Sequence, residues 1–456
     1  MTYVAIDLGA SGGRHIFFEI KDGKLVEETV YRFSNKPQLN DEERLVWDWK
    51  YLFENIVKGL KEVKLKKGGV DFVGIDTWAV DYALLDKDDE LIHDIYSYRD
   101  SNNDKLCTPV HDLISFEELY SRTGIQFQTF NTIYRLYDDK VKGFIKEDTQ
   151  FLMLPDFFNF LLTGVKRQEF TNATSTGLVN SKTKEWDEEI IEKLGIERSL
   201  FKPLTSPGTL LSKVKPEIEM EIGYSPTVVC VASHDTASAV VGSGVNYDEP
   251  YISSGTWSLL GIRSKEGRTD GKSMSLNYSN EGDVELGTRY QKNIMGLWII
   301  QQLRHDLNDR YSFQELVELA SKSKTDIVFD VNDQELLAPK SMKEALEKKV
   351  GKIPIGEMSY SIFHSLALSY KKSLDELESI TGVKYKKLNI IGGGCQNTLL
   401  NKMTKEECGI DVYCGPIEAT AIGNAVAMLV ATKEVESLDE ARRLVKDSFD
   451  ISEVNL

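Results

Sequence analysis

The sequence predicts an α/β protein in which two halves repeat one pattern. Three observations carry the prediction. An apolar strand pair joined by a turn of small residues opens each half. A helix-period stretch comes next, and each half then runs into a fully apolar strand with a polar or glycine-rich end. The length, 456 residues, exceeds what one hydrophobic core ordinarily organises, so two domains are expected.

In the first half, residues 4–8 read as a buried strand and 14–20 as its partner, with Gly9-Ala10-Ser11-Gly12-Gly13 between them. A third strand, 25–33, follows the Lys21-Asp22-Gly23 turn. Trp49, Leu52, Phe53, Ile56, Val57, Leu60 and Val63 then recur at intervals of three and four, the period of an amphipathic helix. The apolar strand 72–75 ends at Asp76. In the second half the counterparts are strands 251–253 and 259–263 around Gly255-Thr256, a helix over 357–380, and strand 388–391 capped by Gly392-Gly393-Gly394. Between the halves lie a helix over 151–162, a Thr/Ser-rich stretch at 171–176 and a strand at 227–231. The domain boundary is expected at 246–250, giving domains 1–245 and 246–456, with no Gly/Ser- or Pro-rich linker between them.

Composition narrows the function classes. The formal charge of −17 argues against a nucleic-acid partner, which needs clustered Lys and Arg. It does not exclude a nucleotide, because a local loop can hold phosphates. No apolar run reaches the roughly 20 residues that span a bilayer. Met1-Thr2-Tyr3-Val4 lacks the basic-then-apolar pattern of a secretory signal. Cys107, Cys230, Cys395, Cys408 and Cys414 show no CxxC pairing, so neither a zinc site nor a disulfide framework is expected, and a reducing cytoplasm fits.

Six segments could carry chemistry, each with a functional reading beside a plain structural one. The first loop precedes a strand rather than a helix and matches neither GxGxxG nor GxxxxGK[ST]. Its backbone N–H groups, Ser11 and Arg14 could cradle a phosphate, its glycines supplying positive φ angles, or it is a tight hairpin. Ser253-Ser254-Gly255-Thr256 is chemically similar, and two such hairpins suggest a phosphate clamp. The glycines at 392–394 would let a base or ribose lie close beyond a strand end, or they are a strand-to-helix turn. Small residues from Gly415 to Asn424 fit close packing under a nucleotide or plain helix packing. Asp235, in His234-Asp235-Thr236, is an N-cap or a proton acceptor held as the anion at a helix start. Asp76 to Asp81, with Trp78 between, suits a sugar with hydroxyls and an apolar face, or is a surface loop with a half-buried Trp.

Taken in order, these segments resemble the FGGY carbohydrate kinases over nearly the whole chain. The matching strings are VAIDLGASGGR from Val4, GIDTWAVDYALLD from Gly74, YRD from Tyr98, FTNATST from Phe170 and SHDTASAV from Ser233. They continue with SSGTWSLLG from Ser253, KNIMGLW from Lys292, IGGGCQN from Ile391 and GPIEATAIGN from Gly415. The resemblance implies a duplicated actin-like, ribonuclease-H-like ATPase fold of two domains with a central cleft. The N-terminal domain would bind sugar and phosphate, and the C-terminal domain ATP. The implied activity is transfer of the ATP γ-phosphate, with Mg²⁺, to the 1-hydroxyl of L-rhamnulose. The alternatives are another ketose of the family, such as L-fuculose or a pentulose, or a non-enzymatic actin-like ATPase.

By motif, the resemblance implies Asp235 as catalytic base. ATP contacts would be Ala10, Ser11, Gly12, Gly13, Arg14, Thr256, Gln301, Gly393 and Gly394. Sugar contacts would be Ala79, His234, Asp235, Thr236 and Asn293, and Asp7 would organise the magnesium shell through water. Two departures stand out. The family's ASSGR loop is here ASGGR, one hydroxyl fewer with the backbone N–H kept, and Ala79 stands where the family usually has glycine.

Overall fold

The computed structural model describes residues 1–337 and 339–455. The chain forms two compact units. Unit 1 comprises Met1–Gly244, Ser264–Tyr290 and Thr420–Ser448, and unit 2 comprises Val245–Arg263, Gln291–Ala419 and Phe449–Leu456. Two later segments therefore return to the first unit.

Unit 1 is built on a sheet of β1 (Thr2–Gly9), β2 (Gly12–Lys21), β3 (Lys24–Ser34), β4 (Phe72–Thr77), β5 (Thr209–Lys213) and β6 (Thr227–Cys230), in the order β3-β2-β1-β4-β6-β5. β1 and β2 pair antiparallel from Thr2↔Glu19 to Gly9↔Gly12, so Ala10 and Ser11 form the turn between them. None of Gly9, Gly12 and Gly13 takes a positive φ, contrary to the expectation from sequence. The glycines at 12 and 13 answer instead to the approach of β3. A Cβ at Gly12 would lie 2.7 Å from the Phe33 carbonyl oxygen, and one at Gly13 2.4 Å from the Phe33 ring. The missing hydroxyl of the loop is thus tied to strand packing.

β4 lies parallel to β1, and β6 parallel to β4. Parallel neighbours need a crossover, supplied between β3 and β4 by α1 (Trp49–Lys67). Its buried Leu52, Ile56, Val57, Leu60 and Val63 follow the predicted stripe. Asp48 caps its start, Lys64, Lys66 and Lys67 occupy its last turn, and Gly68 ends it at φ 83°. Gly59 is where α1 meets the sheet, since a Cβ there would lie 2.3 Å from the His15 ring.

The helix expected over 151–162 begins later. Residues Gln150–Met153 form a strand, and α2 (Leu154–Thr163) starts just before Pro155, which lacks an N–H and fits only a first turn. After β6, α3 (Asp235–Gly242) runs back along the sheet.

Unit 2 repeats the plan. Its strands are β7 (Pro250–Ser254) and β8 (Trp257–Ser264); β9 (Ser279–Gly282) and the first residues of β10 (Thr288–Met295) belong to unit 1. They continue with β11 (Lys387–Ile391), β12 (Asp411–Cys414) and β13 (Ser452–Glu453). The whole sheet has the order β9-β10-β8-β7-β11-β12-β13; from β10 to β11 it repeats the arrangement β3-β2-β1-β4 of unit 1, but its edge strand β13 follows β12 in the chain whereas β5 precedes β6. β7 and β11 are parallel, as β1 and β4 are, and each last edge strand is antiparallel to its neighbour. α4 (Trp298–Asp306) follows β10, and α5 (Ile355–Thr381) supplies the crossover into β11. The chain then re-enters unit 1 through α6 (Ala419–Ala431).

Within unit 1, α6 crosses α3 at backbone distance: a Cβ at Gly423 would lie 1.8 Å from the Ser238 carbonyl oxygen. Of the two readings of the small residues up to Asn424, this is close helix packing.

Burial of His15 makes a pH prediction. Its Nε2 lies 3.0 Å from the Ile56 carbonyl, and burial holds its pKa down to about 4. Below pH 6.5 the unfolded chain takes a proton that the folded chain refuses until about pH 4, so stability falls through that window and not above it. The whole contribution is roughly 3 kcal/mol. Urea unfolding of the wild type and His15→Asn at pH 7 and pH 4 should differ by that amount in pH sensitivity. Equal pH dependence would contradict the assignment.

Candidate active site

Parallel register sets the centre of unit 1. Asp7 on β1 pairs with Asp76 on β4, and the next residue, Thr77, bridges to His234 just ahead of α3. Three carboxylates, Asp7, Asp76 and Asp235, therefore gather at the carboxyl ends of adjacent strands, where ligands of open α/β sheets bind. Arg14, opposite Asp7 on β2, donates to Asp7 Oδ2 from Nε at 2.9 Å and from Nη2 at 2.6 Å. Asp76 is fully buried. Burial first, then the negative charges of Asp7 and Asp235, push its pKa well above the carboxylate range. Asn424 Nδ2 of α6 donates to its Oδ2, while Oδ1 has no partner. Among the described residues no three His, Cys, Asp or Glu side chains are placed to cage a metal ion by themselves.

Asp235 is the first residue of α3; the N-cap position belongs to His234, which makes no side-chain cap bond. The cap reading of Asp235 therefore does not hold. Its Oδ1 accepts from Thr236 N at 2.5 Å and from Thr236 Oγ1 at 3.1 Å, and His234 Nε2 lies 3.3 Å away. The Asp235 side chain keeps 35% exposure, against 8% for His234.

The Thr/Ser-rich stretch fixes this segment from beneath. Buried Glu169 accepts from Ser233 Oγ at 2.6 Å, Ser233 N at 3.2 Å and Thr171 Oγ1 at 2.7 Å, and Thr171 Oγ1 in turn accepts from His234 N at 3.3 Å. Burial pushes the Glu169 carboxyl up, and those donors oppose the shift.

The loop after β4 is more buried than a surface loop would be. Trp78 is 6% exposed, and its Nε1 donates to Asp81 Oδ2 at 2.7 Å. Trp47 Nε1 donates to the same oxygen at 2.7 Å, and Arg135 Nη2 to Oδ1 at 2.7 Å. Thr132 Oγ1 and Arg135 Nη2 hold the Val80 carbonyl, and Val80 takes φ 67°. Asp81 is thus spent on holding the loop, which presents half-buried Ala79. Burial raises the Asp81 pKa against Arg135 and the two indoles.

In unit 2 the matching strand ends carry glycine and hydroxyl groups. The Gly255-Thr256 turn joins β7 to β8, and its carbonyls accept from Leu297 N at 3.0 Å and Trp298 N at 3.2 Å. That seats the start of α4, which carries Gln301, on the turn. Gly296 permits the contact: a Cβ there would lie 2.6 Å from the Trp257 carbonyl carbon. Asn293 stands on β10 just ahead. A Cβ at Gly394 would lie 1.9 Å from Ser254 Oγ, whereas one at Gly393 would meet nothing within 4 Å. Thr256 thus lies in the turn after β7, Gly393 and Gly394 in the segment after β11, and Gln301 on the helix seated against that turn.

Structure thus groups Asp7, the residues from Ala10 to Arg14, His234, Asp235 and Thr236 in unit 1. Sequence reasoning placed Asp76 and Asn424 inside candidate segments without giving either a role in the site, and did not single out Glu169. Asp76 could have been found from its place beside Asp7 in a parallel pair; the others come from distant segments.

A duplicated sheet with a small-residue hairpin at each first strand suits an actin-like fold, and a carboxylate at a helix start suits a phosphotransferase. The chain belongs to the FGGY family of carbohydrate kinases: residues 2–242 match the N-terminal domain of that family and residues 250–432 its C-terminal domain. It is 43% identical to a rhamnulokinase of Halalkalibacterium halodurans, over 99% of this chain and 98% of that one. It is 40% identical to a rhamnulokinase of Bacillus subtilis, over 99% and 94%, and 38% identical to one of Oceanobacillus iheyensis, over 98% and 97%. The fold is that of a ligand-bound xylulose kinase from Lactobacillus acidophilus (TM-score 0.80, 15% identity, 99% of this chain and 92% of that one). A Plasmodium falciparum glycerol kinase with ADP is similar (TM-score 0.77, 17% identity, 99% and 93%). The expected duplicated actin-like fold is therefore the fold of this chain.

The Asp81 hub gives a stability prediction. Asp81→Ala leaves the Arg135 guanidinium, whose side chain is 4% exposed, and two buried indole N–H groups without their acceptor. The expected loss is about 3–5 kcal/mol, read as a lower urea midpoint. A loss under about 1 kcal/mol would show that the loop does not depend on Asp81.

Proposed function

We propose that the chain transfers the γ-phosphate of ATP to the 1-hydroxyl of L-rhamnulose, giving L-rhamnulose 1-phosphate and ADP. The observation that carries this reading is the group of relatives named for a rhamnulose kinase, 35–43% identical over nearly the whole chain.

Asp235 is the proposed base. Its Oδ1 is occupied by Thr236 and faces His234, which leaves Oδ2 for the proton of the attacking hydroxyl. A carboxylate suffices, because the hydroxyl loses its proton late in a loose transition state. The N-terminus of α3 favours the anion. The N–H groups from Ala10 to Gly13 and the Arg14 guanidinium suit the phosphates, and Arg14 is anchored for this by Asp7. In unit 2, Thr256, Gln301, Gly393 and Gly394 are proposed for the nucleotide and Asn293 for the sugar. His234, Thr236 and Ala79 are the proposed sugar contacts in unit 1.

Mg²⁺ fits the charge of the site. Asp76 Oδ1 is buried without a partner, and Asp7 and Asp235 both act on Asp76 as like charges, so a cation would relieve a surplus of negative charge. Asp7 would hold the ion through water, and the ion would neutralise charge on the transferring phosphate.

Two experiments test the proposal. Asp235→Asn should keep ATP binding and lose roughly 10²–10⁴-fold in kcat; near-normal turnover would remove Asp235 as the base. ADP release with Mg-ATP across L-rhamnulose, L-fuculose, L-ribulose and D-xylulose should be selective for L-rhamnulose. Preference for another ketose would move the specificity and leave the kinase chemistry, whereas ATP turnover indifferent to sugar would overturn the proposal.

A further inference from the structure

His234 does not stand alone behind Asp235. On its far side lie two residues from a segment about 50 positions later in the chain. Arg289, at the start of β10, is fully buried. Its Nη2 lies 2.9 Å from His234 Nδ1 and 3.2 Å from Glu281 Oε2, and its Nε donates to the Gly282 carbonyl at 2.8 Å. Glu281 Oε2, on β9, is itself 3.2 Å from His234 Nδ1. The row therefore runs Glu281 and Arg289, then His234 Nδ1, then His234 Nε2, then Asp235 Oδ1 at 3.3 Å. All five atoms belong to unit 1.

We infer that Arg289 and Glu281 are positioning residues which commit the His234 Nε2–H to Asp235 Oδ1, and so leave Asp235 Oδ2 for the substrate hydroxyl. The inference rests on the reading of Asp235 as the base.

The chemistry of the three groups requires this arrangement. A guanidinium only donates and does not lose its proton. Where Arg289 donates to Nδ1, that nitrogen carries the lone pair, and a neutral ring has its proton on Nε2. Where the ring is protonated, Nδ1–H turns to Glu281 and Nε2–H remains on Asp235. In both states the hydrogen faces Asp235. With Glu281 alone behind it, a neutral ring would put its proton on Nδ1 and turn a lone pair toward the carboxylate. Burial disfavours the His234 cation and Arg289 adds to that, but Asp235 and Glu281 outweigh them and raise its pKa.

Stability alone gives little reason to keep this pair. A buried ion pair is often no better than an apolar pair of the same volume, and Arg289 Nη1 is buried with no partner at all.

The test compares Arg289→Met, Arg289→Lys and Glu281→Gln in the full chain, by steady-state kinetics with Mg-ATP and L-rhamnulose. It also reads the His234 tautomer by imidazole nitrogen NMR, with the signal assigned through His234→Asn. Read at a pH high enough to keep the ring neutral, Arg289→Met should lower kcat about 10–100-fold, with KM for ATP unchanged, and should move the His234 proton from Nε2 to Nδ1. Arg289→Lys restores a donor to Nδ1 and should recover the Nε2–H form and part of kcat. Should Arg289→Met not fold, Glu281→Gln stands in: it keeps the volume, and Nε2–H should persist in it through Arg289. Unchanged kcat in Arg289→Met, or lost kcat with Nε2–H retained, would overturn the inference. So would a Nδ1–H ring in the wild type. The tautomer is read without turnover, so failure of Asp235 as the base would appear separately, as activity in Asp235→Asn.

Discussion

Parallel pairing of β1 with β4 sets Asp7 beside Asp76, and most of the site is a response to that one juxtaposition. Two carboxylates side by side at buried strand ends repel, and a third, Asp235, acts on the same point from the start of α3. The fold answers each in a different way. Arg14 neutralises Asp7 from the neighbouring strand. Asp76, the most deeply buried, is pushed toward its neutral form and held by an amide from α6. Asp235, the most exposed of the three, is left at a helix N-terminus, where the anion is favoured. One cluster therefore contains three carboxylates in three electrostatic settings, and the third is the one most open to a substrate.

The two units share a strand plan but differ in what they carry at the strand ends. In unit 1 the ends of β1 and β4 carry carboxylates and the hairpin turn an arginine-backed loop. In unit 2 the ends of β7 and β11 carry Ser254, Thr256 and glycines. A Cβ at Gly394 would displace Ser254, and one at Gly296 would break the turn that carries Thr256. These glycines serve close approach, as Gly12 and Gly13 do under β3. One backbone plan thus supplies charge in one copy and close-packed backbone in the other, a division that suits phosphoryl transfer, where positioning and electrostatics do nearly all the catalysis.

Local features were legible in the sequence. The β1–β2 hairpin, the α1 stripe and the Asp235 helix start each lie within a few residues of chain, so period and turn chemistry reveal them. Where local reading misjudged a feature, a distant partner decided it. The glycines of the first loop looked like turn residues until Phe33 was placed over them. Trp78 and Asp81 looked available to a sugar until Trp47 and Arg135 were found to share the same carboxylate. Pro155 could have placed the start of α2. Nothing near Glu281 or Arg289 in sequence marks them, and Asn424 lies in a marked segment without its role being visible, because these roles exist only once β9, the start of β10 and α6 have joined unit 1.

That return also explains how a helix of only eight residues can hold Asp235 in place. A short helix is marginal by its own hydrogen bonds. Here α6 lies against it so closely that Gly423 has no room for a side chain, and Asn424 ties the same crossing to Asp76. From the other direction Glu169 grips Ser233, one residue ahead of His234. Asp235 is fixed from beneath, from behind and through its histidine neighbour, while its own side chain remains partly open. Rigid support around a partly open side chain is the form that catalytic positioning takes, since a misplacement of about 1 Å can cost roughly 10²-fold in rate. The glycine at 423 and the amide at 424, far from 235 in sequence, therefore support the same segment that carries the proposed base.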